Sequence, residues 1–188
     1  MVYRICRRLL LVIYGILFRL EAKGLENVPS EGPVILASNH LSNFDPPTVG
    51  IKVPRKVHYM AKAELFDVPL LGTLIRNLGA FPVKRGGVSK DSIRGAIALL
   101  KDGGVMGIFP EGTRNSKSES GKKGAAMIAL RSGATVIPVK VTGTYKLFRK
   151  MRVTYGKPVD LTAFIDHPSS YTLEQVTAEI MSAIRKLS

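Results

Sequence analysis

The chain has 188 residues, 45% of them apolar, with one cysteine and a formal net charge of +14. That length and apolar content make one ordinary domain with a real core and exclude an intrinsically disordered chain. The lone Cys6 excludes an internal disulfide and fits a reducing compartment, and the charge calls for an anionic partner: nucleic acid, acidic lipid or a phosphorylated substrate.

The first twenty residues read as a basic, apolar helix. Arg4, Arg7 and Arg8 precede the apolar run Leu9 to Phe18, and Arg19 closes it. Ten such residues make about 15 Å of helix, half of a bilayer core of about 30 Å, so the segment does not span. A secretory signal is disfavoured because Phe18-Arg19-Leu20-Glu21 offers no small-residue cleavage site. Two roles remain, a buried core helix or a helix dipping into one leaflet. The arginines favour the leaflet, where they reach lipid phosphates.

Leu20 to Pro29 gives a short strand and a turn, and Val34 to Ser38 is a buried strand. That strand empties into Asn39-His40-Leu41-Ser42-Asn43-Phe44-Asp45. Pro46 and Pro47 then restart the chain as a brief helix to Ile51, with Asp45 at the N-cap. His40 thus stands at a strand's carboxyl end, where α/β sheets collect their chemistry. Its five-residue offset from Asp45 is about 140° out of register on a helix, yet across a loop the two can meet. A carboxylate on one ring nitrogen fixes the tautomer and leaves the other nitrogen as a base. Asn39 and Ser42 suit side-chain bonds that hold the loop's shape.

Val57 to Met60 is a strand leading to Lys62. A helix over 69–78 carries Leu70, Leu71, Leu74, Ile75 and Leu78 on one face. Ala80 to Val83 is a strand leading to Lys84 and Arg85. A helix capped by Ser89 or Asp91 runs through Leu100 and is closed by Gly103-Gly104. The strand Val105 to Phe109 ends in Pro110-Glu111-Gly112-Thr113-Arg114-Asn115. A polar stretch, 116–123, leads to a helix over 124–131 that ends at Gly133. The strand Thr135 to Val141 contains Pro138 and so belongs near an edge or a bulge. Met151 to Tyr155 is the next strand, and Thr172-Leu173-Glu174-Gln175 is a capping box opening a last helix to Leu187.

Alternating strands and helices predict an α/β fold with a mixed, mostly parallel sheet flanked by helices. The sequence has no internal repeat, no Gly-x-Gly-x-x-Gly and no P-loop, and three scattered histidines with one cysteine make no metal-ligand set. His58 lies in a strand without a spaced carboxylate and His167 precedes Pro168 in a turn; both read as structural or solvent-facing. Tryptophan is absent and the other aromatics do not interleave with the basic runs, which argues against nucleic acid.

Taken together, Asn39-His40-x4-Asp45 and Phe109-Pro110-Glu111-Gly112-Thr113-Arg114 strongly resemble the glycerolipid acyltransferase family. Within it the chain is similar to the small bacterial members that acylate 1-acylglycerol 3-phosphate. Two further family blocks are present: Ala61-Lys62-Ala63-Glu64-Leu65-Phe66 through Gly79-Ala80-Phe81-Pro82-Val83-Lys84-Arg85, and Val136-Ile137-Pro138-Val139. The resemblance spans about Leu25 to Gly156 with the blocks in family order. Asn115 stands where serine is common in the family, a change expected to be tolerated. The resemblance implies a membrane-anchoring helix over 1–20 ahead of an acyltransferase domain over 21–188.

Acyl transfer to an alcohol needs a base, and His40 oriented by Asp45 fills that role. No Gly-x-Ser-x-Gly elbow occurs and Cys6 lies in the N-terminal helix, so direct attack by the acceptor hydroxyl on an acyl thioester is the simplest route. Backbone N–H groups near a motif loop are expected to hold the oxyanion. Arg114 is the best phosphate clamp, because guanidinium binds phosphate bidentately. Lys62 and Arg85 come next. Glu111, Gly112 and Thr113 complete the acceptor-binding set that the resemblance implies, with Glu111 against the glycerol.

The expected reaction acylates the sn-2 hydroxyl of lysophosphatidic acid to give phosphatidic acid, with acyl-coenzyme A or acyl-carrier protein as co-substrate and no bound cofactor. Glycerol 3-phosphate, a lysophospholipid or an amino-acid lipid stay open as acceptors. A non-catalytic binder of anionic lipid or nucleic acid is the rival from another class, and an intact His40, Asp45 and Arg114 argue against it. The expected location is the cytoplasmic face of the cell membrane, peripheral or monotopic, on an anionic lipid surface.

Overall fold

The computed structural model describes residues 2–83, 90–112, 123–166 and 172–188. In chain order the elements are α1 (Val2–Leu17), β1 (Glu21–Lys23), β2 (Val34–Ser38), α2 (Asp45–Gly50), β3 (Val57–Lys62), α3 (Leu71–Asn77), β4 (Ala80–Val83), α4 (Lys90–Lys101), β5 (Val105–Ile108), α5 (Lys123–Ser132), β6 (Thr135–Gly143), β7 (Met151–Tyr155), α6 (Thr162–Asp166) and α7 (Thr172–Lys186). The expected α/β class and mostly parallel sheet are what the chain forms.

One seven-stranded sheet has the order β1-β7-β6-β2-β5-β3-β4. Every pairing is parallel except β6 with β7. The strand β2 lies at the centre because all five of its residues are apolar or small and all are buried. Its side chains alternate between two cores. Val34 and Leu36 join Tyr14 of α1, Phe18 just after it and Val49 of α2 on one face. Ile35 and Ala37 join Leu100 of α4, Ile128 of α5 and Ile180 of α7 on the other. Because β2, β5, β3 and β6 run the same way, their carboxyl ends share one edge of the sheet.

Two expectations meet a different arrangement. Pro138 sits in β6, which is flanked by β7 and β2 and is therefore interior. The N–H of Thr135 donates toward β2, to the carbonyl of Pro33, so by alternation the nitrogen of Pro138 faces the β7 side. There the ladder already ends, at Val139 opposite Tyr155, and no donor is missed.

The second difference is α3, which begins at Leu71 rather than at position 69 and turns its leucines outward. Leu70 has φ 63° and ψ −47°, and the N–H of Leu71 donates to the carbonyl of Pro69 at 2.7 Å, a γ-turn that a helix cannot continue from. The face of α3 that packs inward is Gly72, whose α-carbon side lies against the Phe66 backbone; a Cβ there would sit 2.1 Å from that carbonyl oxygen.

The helix α1 crosses the face of the sheet as part of the core. Tyr14 and Phe18 are buried, whereas Val2, Ile5, Leu9, Val12 and Ile16 are all more than 40% exposed along its outer side. Among the described residues no helix is long and apolar enough to cross a membrane.

Candidate active site

The site begins where β2 stops pairing. Ser38 is the last residue of β2 in register with β6, opposite Val139. The Asn39 side chain then takes over the ladder: its Nδ2 donates to the Val141 carbonyl at 3.0 Å and its Oδ1 accepts the Val141 N–H at 2.8 Å. With that amide standing in for a peptide, the backbone of His40 is free to leave the sheet. The N–H of Phe44 donates to Ser42 Oγ at 3.3 Å and further shapes the loop. Both expectations for Asn39 and Ser42 are met.

Across this loop His40 and Asp45 meet, with His40 Nδ1 2.8 Å from Asp45 Oδ2. The same oxygen accepts the N–H of Leu41 at 2.5 Å and of Ser42 at 2.7 Å. Asp45 is completely buried and the His40 ring is 17% exposed. Burial alone would push the Asp45 carboxyl up, but the donors from His40, Ser42, Tyr145 and Leu41 outweigh it and hold the group below the ordinary carboxylate range. As an anion Asp45 only accepts, so the proton on Nδ1 belongs to His40 and Nε2 carries the lone pair.

Asp45 is not the N-cap of α2 as expected; it is the first helical residue, and its carboxylate turns back onto the loop that precedes it. The prolines explain this. A capping carboxylate at position 45 would need the N–H of the second or third helical residue. Pro47 has none, and the N–H of Thr48 is already bonded to the carbonyl of Phe44 at 3.2 Å.

The second motif borders the first. The imidazole of His40 stacks on Phe109 with ring centroids 4.1 Å apart, and Phe109 stacks in turn on Tyr59 at 6.2 Å. Beyond Phe109 the chain turns tightly, the N–H of Gly112 donating to the Phe109 carbonyl at 2.9 Å with Gly112 at φ +70°. A side chain would strain that conformation, which is the local reason for glycine there. The turn brings Glu111 beside His40. Burial raises the Glu111 carboxyl above its ordinary value, and the neighbouring His40 opposes the rise.

Lys62 ends β3 on the same edge of the sheet and is exposed. One strand, β5, separates β3 from β2, so the Lys62 backbone lies about 10 Å from the line of β2. Arg85, Thr113 and Arg114 lie outside the described residues, as do Lys84, Ser89, the 116–122 stretch and His167. His58 Nδ1 donates to the Gly79 carbonyl at 2.9 Å, and burial lowers its pKa, as suits the structural place expected for it. Among the described residues no three His, Cys, Asp or Glu side chains converge as a metal cage.

Sequence reasoning missed two side chains of the site. Phe109 ends a strand and opens the second motif in the sequence, with no role of its own there, and it forms the floor under His40. Tyr145 carried no signal at all, and its hydroxyl donates to Asp45 Oδ1 at 2.6 Å from a hundred residues away in the chain.

Comparison with known proteins points to one family. Residues 19–142 match the family model described as Acyltransferase. The chain is similar to the 1-acyl-sn-glycerol-3-phosphate acyltransferase of Bacillus subtilis strain 168, at 34% identity over 98% of this chain and 96% of that one. The protein of the same name from Borreliella burgdorferi is 28% identical over 97% of this chain and 76% of its own. The crystal structure of the 1-acyl-sn-glycerophosphate acyltransferase from Thermotoga maritima superposes with a TM-score of 0.68 at 25% identity, covering all of this chain and 79% of that one.

Proposed function

Since the chain belongs to the acyltransferase family and is an enzyme of it, we propose that it moves a fatty acyl group from an acyl thioester to the sn-2 hydroxyl of 1-acyl-sn-glycerol 3-phosphate, giving phosphatidic acid. The observation that carries this reading is the His40 Nδ1–Asp45 Oδ2 pair, 2.8 Å long, with the imidazole's Nε2 carrying a lone pair at the carboxyl edge of the sheet.

The acceptor hydroxyl hands its proton to His40 Nε2 as its oxygen attacks the thioester carbonyl. Asp45 stabilises the imidazolium that forms. The tetrahedral intermediate then collapses, the carbon–sulfur bond breaks, and the imidazolium returns the proton to the leaving thiolate. No enzyme nucleophile is needed, and the donor is acyl-coenzyme A or acyl-carrier protein. A base so placed contributes roughly 10² to 10⁴ in rate. Glu111, beside His40, is assigned to the glycerol of the acceptor. Arg114 is assigned the acceptor phosphate, with Lys62 and Arg85 as further cations and Gly112 and Thr113 as acceptor-binding residues.

The acceptor is a membrane lipid, and the surface supports docking on one. Outside α1, every exposed large apolar side chain among the described residues lies on a connection leaving the carboxyl end of β2, β3 or β6: Leu41 and Phe44, Leu65 through Leu74, and Leu147 with Phe148. Exposed apolar side chains gathered on one edge mark an interaction surface. Exposed Arg19, Lys146 and Arg149 stand among these tips. Apolar tips and cations together suit peripheral seating on an anionic leaflet, with the reaction edge turned toward it, on the cytoplasmic face where thioester donors are found.

The test is transfer of labelled acyl groups from acyl-coenzyme A and from acyl-carrier protein, with lysophosphatidic acid, glycerol 3-phosphate and lysophosphatidylcholine offered side by side. Label entering phosphatidic acid, and falling at least a hundredfold in His40→Ala, is the expected result. Label entering a different acceptor would reassign the substrate, and an active His40→Ala would remove the base.

A further inference from the structure

Asp45 has two oxygens with unequal company. Oδ2 takes three donors: His40 Nδ1 and the N–H groups of Leu41 and Ser42. Oδ1 takes the phenol of Tyr145 at 2.6 Å. We propose that Tyr145 is a positioning residue of the catalytic pair: its O–H anchors Asp45 Oδ1 and so fixes the carboxylate rotation that presents Oδ2 to the imidazole. The inference rests on the reading of His40 as base, and it adds a residue that neither motif contains.

The proton count fixes the direction of the chain of bonds. Asp45 is an anion and only accepts, so the one hydroxyl proton of Tyr145 points at Oδ1. Thr48 Oγ1 lies 2.8 Å from the same phenol oxygen, while its own hydroxyl donates to the Phe44 carbonyl, also at 2.8 Å. Thr48 is fully buried on α2 and packs beside the phenol. The linked groups are Tyr145, Asp45 and His40.

The ring of Tyr145 is equally held. It packs edge-on against Phe18 with centroids 5.6 Å apart and lies 5.5 Å from Phe44. Tyr145 leaves the carboxyl end of β6, Phe18 follows α1, and Phe44 belongs to the catalytic loop. Three separate parts of the chain thus meet on one phenol. Burial raises the pKa of Tyr145, and the bond to the Asp45 carboxylate raises it further, which keeps the phenol protonated as a donor.

Tyr145→Phe keeps the ring and removes only the hydroxyl. With one donor gone, negative charge concentrates on the remaining bonds of Asp45, and the protonated imidazole is favoured. The acid limb of the kcat/KM profile therefore moves to higher pH, by about half a unit to one unit. The looser carboxylate lowers kcat roughly tenfold while KM stays within about twofold. Glu111, Tyr14 and Tyr59 also face this cluster and are unchanged, so the shift reports on Tyr145.

The deciding experiment is a cycle of Tyr145→Phe and Asp45→Asn, each measured by pH profile and by kcat. The expected result is a shifted acid limb in Tyr145→Phe and no further loss when Tyr145→Phe is added to Asp45→Asn. An unmoved limb with losses that add independently would make Tyr145 a packing residue and overturn the proposal. Should Tyr145→Phe fail to fold, 3-fluorotyrosine at position 145, a stronger donor to Asp45 Oδ1, is expected to move the acid limb the opposite way, to lower pH, and an unmoved limb overturns the proposal. An active His40→Ala would instead sink the base itself, a failure distinguishable from that of Tyr145.

Discussion

At the residue scale the site depends on a buried anion made comfortable by donors. Asp45 has a folded-state pKa below its unfolded one, because four donors outweigh the cost of burial. Its stabilisation is therefore complete above the unfolded carboxylate value of about 3.9 and is lost as pH falls through the lower folded value. Asp45→Asn should unfold about 2 kcal/mol more easily at neutral pH, from the lost charged hydrogen bonds. Urea midpoints measured between pH 7 and pH 3 should converge for the two proteins as the pH falls. Curves that stay parallel would mean Asp45 is not the depressed group.

At the element scale the floor of the site is set by β5. Gly107 lies where Tyr59, reaching over from β3, crosses the sheet; a Cβ on Gly107 would stand 2.0 Å from the Tyr59 ring. Tyr59 supports Phe109, and Phe109 supports His40. Gly107→Ala should push Tyr59 aside, cost about 1–3 kcal/mol by overpacking, and lower kcat as the stack beneath His40 shifts. Thermal midpoint and turnover measured on the same sample check both halves. A stable variant with reduced turnover would also be informative, since it would place the whole effect in the stack. Full activity at full stability would remove Tyr59 from the support of the site.

At the scale of the whole molecule α1 belongs to two environments. Its inner side chains Tyr14 and Phe18, followed by Leu20, are in the core, while Ile5 and Leu9 are exposed. Each buried large side chain is worth about 1.5–3 kcal/mol, so deleting residues 1–20 should cost on the order of 5 kcal/mol and leave no active soluble domain. The double variant Ile5→Glu with Leu9→Glu should instead keep its thermal midpoint and lose binding to vesicles containing phosphatidylglycerol, read by flotation. A deletion that folds and stays active would make α1 a detachable anchor. Vesicle binding that survives the double variant would move docking to the rim of Phe44, Leu70 and Phe148.

Much of this protein was determined by local sequence. The four apolar residues and one serine of β2 read as a strand buried on both faces, and the alternation of such runs with helical ones dictated a mostly parallel sheet. The place of His40 followed from that, because a parallel sheet leaves its loops at the strands' carboxyl ends. The His40–Asp45 contact was legible from a five-residue spacing across one tight loop. What local pattern could not settle were the long-range choices. The outward turn of the α3 leucines, the interior position of Pro138, the return of Asp45 onto its own loop and the arrival of Tyr145 each depend on what packs opposite. A spacing fixes which neighbours in sequence can touch; only the closed sheet fixes which distant side chain, here a phenol from beyond β6, fills the last open lone pair of a buried carboxylate.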